Sequence, residues 1–406
     1  MTGAEKPQLV QREGERPRFD GMLLIGAEDR NAGKTEFACA VIERFSRSFP
    51  VVGLKVTTIR GGGRPCPRGG AGCGACDLDQ PYCITEEKNK GAGKDTARML
   101  ESGAGRVLWA RCREKSLSAC IAALRERIDP GALVVAESNS LAHVVDPGLF
   151  LMLRERGASG AKPSSRAVLR YADRIVLSDG VSFVPGPADL AVHEGCWQLL
   201  DASAVVLAGG ASSRMGADKS LLDIGGVPLI EHVLAQLRGR FREVLISAED
   251  PAPFRFAAER VIRDRRPGQG PLMGIAGALE AARTDIVFIV ACDIPNIDPR
   301  VVRRLLAASR DADCVVPRRL DGKWEPLFSV WRRSALPAIR AVLSTATRKI
   351  DAVFPLLSLA VVEIGDAPWL RNLNTPADVA AYLAETGSIT DARPLRTEAS
   401  PPRKVR

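Results

Sequence analysis

Two α/β domains in one chain, each a mainly parallel sheet with helices on its faces, are what this sequence predicts. Three observations carry the prediction. The chain has 406 residues, too many for one ordinary core. Short apolar, β-branched runs alternate with segments of helical period, the mark of strand–helix–strand units. The alternation stops near residue 181, over a stretch with Pro185, Gly186 and Pro187, and restarts at Ala204.

In the first half, strands are expected at 22–27, 51–58, 106–110, 133–136 and 174–177. Helices are expected at 34–45, 95–101, 117–128 and 165–171. The second half opens with a strand at 204–206. A helix at 229–237, a strand at 243–247, a helix at 275–282 and a strand at 285–290 follow. The predicted organisation is an unstructured lead (1–19), a first domain (20–180) with a Cys-rich insert (61–90), a linker (181–202), a second domain (203–385) and an unstructured tail (386–406), the last rich in Pro, Arg, Ser and Thr.

Hydrophobic residues make up 46% and charged residues 26%, the balance of a globular protein. No apolar run approaches the roughly 18 residues that cross a bilayer, and the N-terminus lacks an apolar signal region. A cytoplasmic protein without a membrane partner is therefore expected. The net charge is +9, but the charge is scattered and aromatics are only 5%. That combination offers no stacking platform for nucleic acid and suits small anions instead.

Residues 207–219 read Leu-Ala-Gly-Gly-Ala-Ser-Ser-Arg-Met-Gly-Ala-Asp-Lys and follow an apolar strand. Gly209 and Gly210 let main-chain N–H groups approach a ligand. Arg214 and Lys219 add a planar fork and a mobile point charge. With Leu207 and Ala208 they make a nucleotide phosphate loop. Asp293 follows the apolar strand ending at Val290, where open α/β sheets bind ligands. A small hard cation such as Mg²⁺ prefers a carboxylate with phosphate oxygens and water. Cys292 beside it reads as a small apolar filler.

This half resembles the molybdenum cofactor guanylyltransferases, a nucleotidyltransferase family with one Rossmann-like sheet of the GT-A type. The resemblance rests on the 207–219 loop, on Gly226-Val227-Pro228-Leu229-Ile230, on Gly270-Pro271-Leu272-Met273-Gly274, on Cys292-Asp293-Ile294-Pro295 and on Asn372-Leu373-Asn374-Thr375-Pro376, in order over 203–385. It implies transfer of GMP from GTP to molybdopterin with release of pyrophosphate. Asp293 would hold Mg²⁺, and Arg214 and Lys219 would offset charge. Asp264 would contact the nucleotide, with Ser247 standing where the family usually has asparagine. Trp324-Glu325-Pro326, Arg348 and Lys349 fall on the pterin side. Molybdoenzyme apoproteins or their chaperones would be further partners. Cytidylyl or sugar-phosphate transfer is the competing activity, although the Gly209-Gly210 pair favours guanine.

In the first half, Gly33-Lys34-Thr35 opens a helix after the strand 22–27. The lysine of such a loop meets terminal phosphates and the threonine hydroxyl meets Mg²⁺. The usual first glycine is replaced by Glu28, so the loop is longer and acidic. Together with Gly53-Leu54-Lys55, Gly93-Lys94-Asp95-Thr96, Glu101-Ser102-Gly103-Ala104 and Glu137, this P-loop resembles the GTP-binding partner protein of molybdenum cofactor guanylylation. The resemblance implies a P-loop NTPase-like sheet over 20–180 and a carboxylate at Glu137 on the Mg²⁺ or water side. A non-hydrolysing adapter or metal sensor is the other reading of this half.

Four of the ten cysteines, Cys66, Cys73, Cys76 and Cys83, are spaced to converge on one tetrahedral metal, either Zn²⁺ or an iron–sulfur cluster. Most of the other cysteines read as packing residues, and the three histidines (His143, His193 and His232) read as structural.

Overall fold

The computed structural model describes residues 16–29, 32–59, 78–91, 93–157, 163–179, 182–208, 219–266, 268–345, 347 and 349–386. In the first half these are β1 (Arg18–Ala27), α1 (Lys34–Phe45), β2 (Val51–Ile59), β3 (Tyr82–Glu86), α2 (Asp95–Glu101), β4 (Arg106–Arg113), α3 (Leu117–Glu126), β5 (Leu133–Glu137), β6 (Asp146–Glu155), α4 (Pro163–Leu169), β7 (Arg174–Ser178) and β8 (Phe183–Val184). A hairpin follows, β9 (Leu190–His193) and β10 (Cys196–Leu199). The second half has β11 (Ala202–Leu207), α5 (Leu229–Leu237), β12 (Val244–Ala248), β13 (Arg260–Arg263), α6 (Pro271–Ala281), β14 (Ile286–Ala291), α7 (Pro299–Ala308), β15 (Cys314–Arg319), β16 (Phe328–Arg332), α8 (Leu336–Leu343), β17 (Leu359–Gly365) and α9 (Pro376–Thr386). No described helix is long and apolar enough to cross a membrane.

The first sheet has eight strands in the order β3-β4-β2-β5-β1-β6-β7-β8, parallel except at its two edges, β3 and β8. The second has seven, β13-β12-β11-β14-β16-β15-β17, with β16 antiparallel to both its neighbours. Central strands are buried on both faces, which is why β1, β11 and β14 read as continuous apolar runs. Helices cover each sheet on both sides. In α1, Phe37, Ala38, Val41, Ile42 and Phe45 recur at helical spacing and face the sheet. Helix α7 starts cleanly because Asp298 accepts a bond from the Arg300 N–H and Pro299 takes the first position.

Each sheet reverses strand order at one place. Strand β1 lies between β5 and β6, and β11 lies between β12 and β14. The carboxyl edge beside such a reversal is a natural ligand crevice.

Strands β3, β15, β16 and β17 and helices α7, α8 and α9 were not among the expected elements, and three further differences bear on the architecture. Within the expected linker (181–202), β8 closes the first sheet's edge and β9–β10 form a hairpin whose Trp197 is buried against Phe45, its indole N–H bonding the Gly21 carbonyl at 3.0 Å. Strands this short fall below the length at which alternation is visible. Strand β6 was not expected, although Leu149–Leu153 is an unbroken buried run. The lead ends sooner than residue 19: Arg16 bonds the Ala142 carbonyl at 2.5 Å, and β1 begins at Arg18.

The two halves are joined by charged contacts. Arg303 on α7 bonds Asp173 at 2.5 Å and the Pro147 carbonyl at 2.7 Å, with side chains 21% and 10% exposed. Arg174 pairs with Asp201 at 2.6 Å and also reaches the Leu306 carbonyl. A cavity of about 360 Å³ lies beside them, lined in part by Trp197, Phe241 and Leu306. Removing one member of a partly buried ion pair leaves the other desolvated and unpaired. Arg303→Ala is expected to cost about 2–3 kcal/mol and to split thermal unfolding into two transitions. A calorimetric scan that keeps one transition at an unchanged midpoint would refute the coupling.

Candidate active site

The crevice of the second sheet is set by register. Leu207 and Ala291 are direct partners across β11 and β14, and the Cys292 N–H bonds the Leu207 carbonyl at 3.0 Å. The strand ends that carry Leu207-Ala208 and Cys292-Asp293 are thereby held side by side. On the other flank the Ala208 N–H bonds the Ser247 carbonyl at 2.8 Å. Gly209, Gly210 and Arg214 lie outside the described residues. Lys219 enters on a short helical turn, Lys219–Leu221.

Asp293 leaves the end of β14 into the crevice. Its Oδ1 is buried and has no hydrogen-bond partner among the described residues. Burial raises its carboxyl above the usual range, and the nearby Lys219 ammonium opposes the shift. A desolvated, orphaned carboxylate oxygen of this kind fits a hard cation. The closing motif reaches it from far along the chain. The Leu373 N–H bonds the Asp293 carbonyl at 2.8 Å, and Lys219 Nζ donates to Asn374 Oδ1 at 2.9 Å.

The segment after Asp293 is pinned by groups that the sequence did not single out. Gln236 on α5 donates to the Pro295 carbonyl at 2.7 Å and accepts from the Ile297 N–H at 3.0 Å. Tyr382 on α9 donates to Asn296 Oδ1 at 2.8 Å and lies 3.2 Å from His232 Nε2. Burial lowers the His232 pKa, an effect opposed by its hydrogen bond with the Pro295 backbone. A lone glutamine or tyrosine on an amphipathic helix gives no signal of such a role.

Asp264 follows β13 and faces α6. The Ser247 hydroxyl donates to its Oδ1 at 3.0 Å. Burial raises its pKa, the Ser247 bond lowers it and Glu249 raises it. Gly274 makes room for this wall: a Cβ there would sit 3.0 Å from Ser247 Oγ and 3.2 Å from Leu207. On the expected pterin side, Trp324 packs against Phe354 with ring centres 5.5 Å apart, Glu325 pairs with Arg319 at 3.4 Å, and Lys349 is exposed. Arg348 lies outside the described residues.

The same carboxyl-edge geometry recurs in the first sheet. Gly33 caps α1 with φ 80°, and a Cβ there would lie 3.2 Å from the Phe183 ring. Lys34 and Thr35 open the helix, and Thr35 Oγ1 donates to Glu137 Oε2 at 2.9 Å. The acidic residue of the lengthened loop, Glu28, is turned inward. It takes a two-point pair from Arg154 at 2.6 and 2.7 Å, so its charge is neutralised away from the helix start. Cys66, Cys73 and Cys76 of the expected metal site lie outside the described residues. Cys83 is on β3, where Arg111 Nη2 lies 3.6 Å from its sulfur. Among the described residues, no three His, Cys, Asp or Glu side chains converge as metal ligands.

Comparison with known proteins follows this division. Residues 204–355 match the MobA-like NTP transferase domain. A probable molybdenum cofactor guanylyltransferase of Carboxydothermus hydrogenoformans is 37% identical over 185 residues, covering 44% of this chain and 93% of that protein. The chain belongs to the molybdenum cofactor guanylyltransferase family. The Vibrio cholerae molybdenum cofactor guanylyltransferase is likewise 37% identical, over 189 residues, covering 45% and 92% of the two chains. The crystal structure of molybdopterin-guanine dinucleotide biosynthesis protein A from Archaeoglobus fulgidus is 22% identical, with a TM-score of 0.41, over 46% of this chain and 99% of that one. The guanylyltransferase half makes the chain a nucleotidyltransferase of molybdenum cofactor biosynthesis.

The raised pKa values of Asp264 and Asp293 have a thermodynamic sign. The folded state holds these protons more tightly than the unfolded chain does. The associated stability is present at acid pH and is lost as pH rises through the folded values. Asp293→Asn is therefore expected to raise the thermal midpoint at neutral pH in metal-free buffer. The gain should vanish below about pH 4, where the wild-type carboxyl is also neutral. A variant less stable than wild type at neutral pH would contradict it.

Proposed function

We propose that the guanylyltransferase domain transfers GMP from GTP to molybdopterin, and that the first domain binds a guanine nucleotide and assists. The observation that carries the reading is the buried oxygen of Asp293, unpartnered among the described residues, beside Lys219, at the strand reversal of a domain from this family.

The terminal phosphate oxygen of molybdopterin attacks the α-phosphorus of GTP in line. A new phosphate–oxygen–phosphorus bond forms, the bond to the β-phosphate breaks, and pyrophosphate leaves with the electron pair. Asp293 would hold Mg²⁺, which would supply charge neutralisation on the phosphate oxygens. Leu207 ends β11 and Ala208 follows it, and Gly209 and Gly210 after them would present main-chain N–H groups to the phosphates. Arg214 and Lys219 offset the charge that builds on the leaving group. Lys219 is already oriented by Asn374. Asp264, steadied by Ser247, accepts from the ring N1–H and exocyclic amine of guanine, a pair that cytosine lacks. No side chain has to form a covalent intermediate, so the task is positioning and charge.

In the first domain, Gly33, Lys34 and Thr35 hold a nucleotide phosphate chain, with Thr35 on the Mg²⁺ side. The cap at Gly33, the start of α1 and the neutralised Glu28 support this reading. The chain is then a transferase fused to its own nucleotide-binding assistant, and the fusion contributes organisation rather than a second chemistry.

The test is incubation of the full chain with GTP, Mg²⁺ and molybdopterin, with the dinucleotide detected by mass. Product is expected from GTP and not from CTP. Asp293→Ala should lower the rate by about 10³-fold or more while leaving GTP-independent folding intact. Product from CTP in place of GTP would overturn the guanine assignment. Lys34→Ala is expected to abolish one of two GTP-binding sites by calorimetry, and two sites retained would remove the nucleotide reading of the first domain.

A further inference from the structure

Three charged or polar groups at the carboxyl edge of the first sheet are withdrawn from water. Lys55 is 6% exposed, Glu137 7% and Thr35 8%. Lys55 lies in the middle of β2, the one charged residue of that strand, directly paired in register with Glu137 at the end of β5. Its ammonium donates to Asp95 at the start of α2. It lies 3.4 and 3.5 Å from the two oxygens of Glu137, longer than a well-made bond to nitrogen. Thr35 makes the short contact to that carboxylate.

Burying an ammonium and a carboxylate costs several kcal/mol per ion before their attraction offsets it. Apolar residues would pack the same space at less cost. The arrangement therefore has the character of a functional site, where charges are kept although they do not serve stability. The contributing groups are two carboxylates and a hydroxyl, all hard oxygen donors, supplied by three different elements and gathered beside the phosphate-loop helix. Such a set suits a small divalent cation. What fills it here is a monovalent cation on a flexible stem, tied closely to Asp95 and loosely to Glu137.

We propose that the Lys55 ammonium is a resident counter-ion at the divalent-cation position of the first domain. Mg²⁺ arriving with a nucleoside triphosphate displaces it from Glu137 and Asp95 and frees it to meet the terminal phosphate. The proposal rests on Gly33-Lys34-Thr35 being a nucleotide site. The exchange forms and breaks no covalent bond: two carboxylates pass from an ammonium to a divalent ion, and the released ammonium finds a new anion in the triphosphate. An ammonium with three rotatable donors is suited to such a move, where a guanidinium would be locked. Before the cation arrives, Lys55 keeps the two carboxylates from repelling each other and from closing the site.

The test uses the full chain carrying Asp293→Ala, which removes the metal-holding carboxylate of the other domain, and reads Mn²⁺ binding by electron paramagnetic resonance without nucleotide. The chain with Lys55 intact is expected to bind no Mn²⁺ at this position. Adding Lys55→Met should create one Mn²⁺ site. Adding Glu137→Gln or Asp95→Asn to that protein should weaken the new site by about tenfold or more. Circular dichroism and a thermal melt check folding, and Lys55→Gln carries the same test if Lys55→Met does not fold. A Lys55 variant that gains no site, or a gained site indifferent to both carboxylates, overturns the proposal. A gained site in a protein whose GTP binding ignores Lys34→Ala keeps the cation position and removes the nucleotide reading. Lys34-dependent GTP binding without a gained Mn²⁺ site does the reverse.

Discussion

The parallel pairing of β11 with β14 is the constraint on which the transferase half depends. It fixes Leu207 opposite Ala291, and so fixes where the chain leaves β11 relative to Asp293. A slip of one residue would turn every side chain of the strand to the other face. The register is protected by burial on both sides: Val205 and Ile289 face one core cluster, and Val206 and Val290 face the other. Everything that approaches Asp293 afterwards, from Lys219 to Leu373 and Gln236, addresses a position already set by these two strands.

Around that fixed edge the molecule accepts electrostatic cost. Asp293 keeps an oxygen without a partner among the described residues, and burial raises the Asp264 carboxyl above its usual range. The first domain handles the same problem differently. There Glu28 is paired with Arg154, and Glu137 accepts a hydrogen bond from Thr35 and has the Lys55 ammonium beside it, so both carboxylates have companions within the domain. One sheet leaves a buried carboxylate oxygen without a partner among the described residues, while the other sets a lysine beside its carboxylate.

The sequence was most legible where one residue type has one physical use. Continuous apolar runs gave the central strands, and Gly33-Lys34-Thr35 gave a helix start. The motif around Asp293 pointed to the edge of a sheet, where the residue lies. The sequence was least legible where the role comes from distant partners. Gln236, Tyr382 and Arg154 look like ordinary solvated residues in their helices and strand, and only the fold brings them against residues 295–297 and Glu28. The hairpin 190–199 hid because four-residue strands between glycines and prolines carry too little period to register. Lys55 stood in one of the motifs of the resemblance, and its further signal was a lone cation inside a buried strand.

The charged seam between the halves has a consequence for how such a fusion can be taken apart. Helix α7, which carries Arg303, begins six residues after Asp293, so the helix that docks onto the first domain is the continuation of the segment that carries Asp293. A transferase half separated from its companion would hold Arg303 and Arg174's acceptor at Leu306 toward water, and would lose the brace on the far end of that helix. Shuffling this domain into another chain would thus carry a hidden requirement: the new neighbour must offer an acid where Asp173 stands.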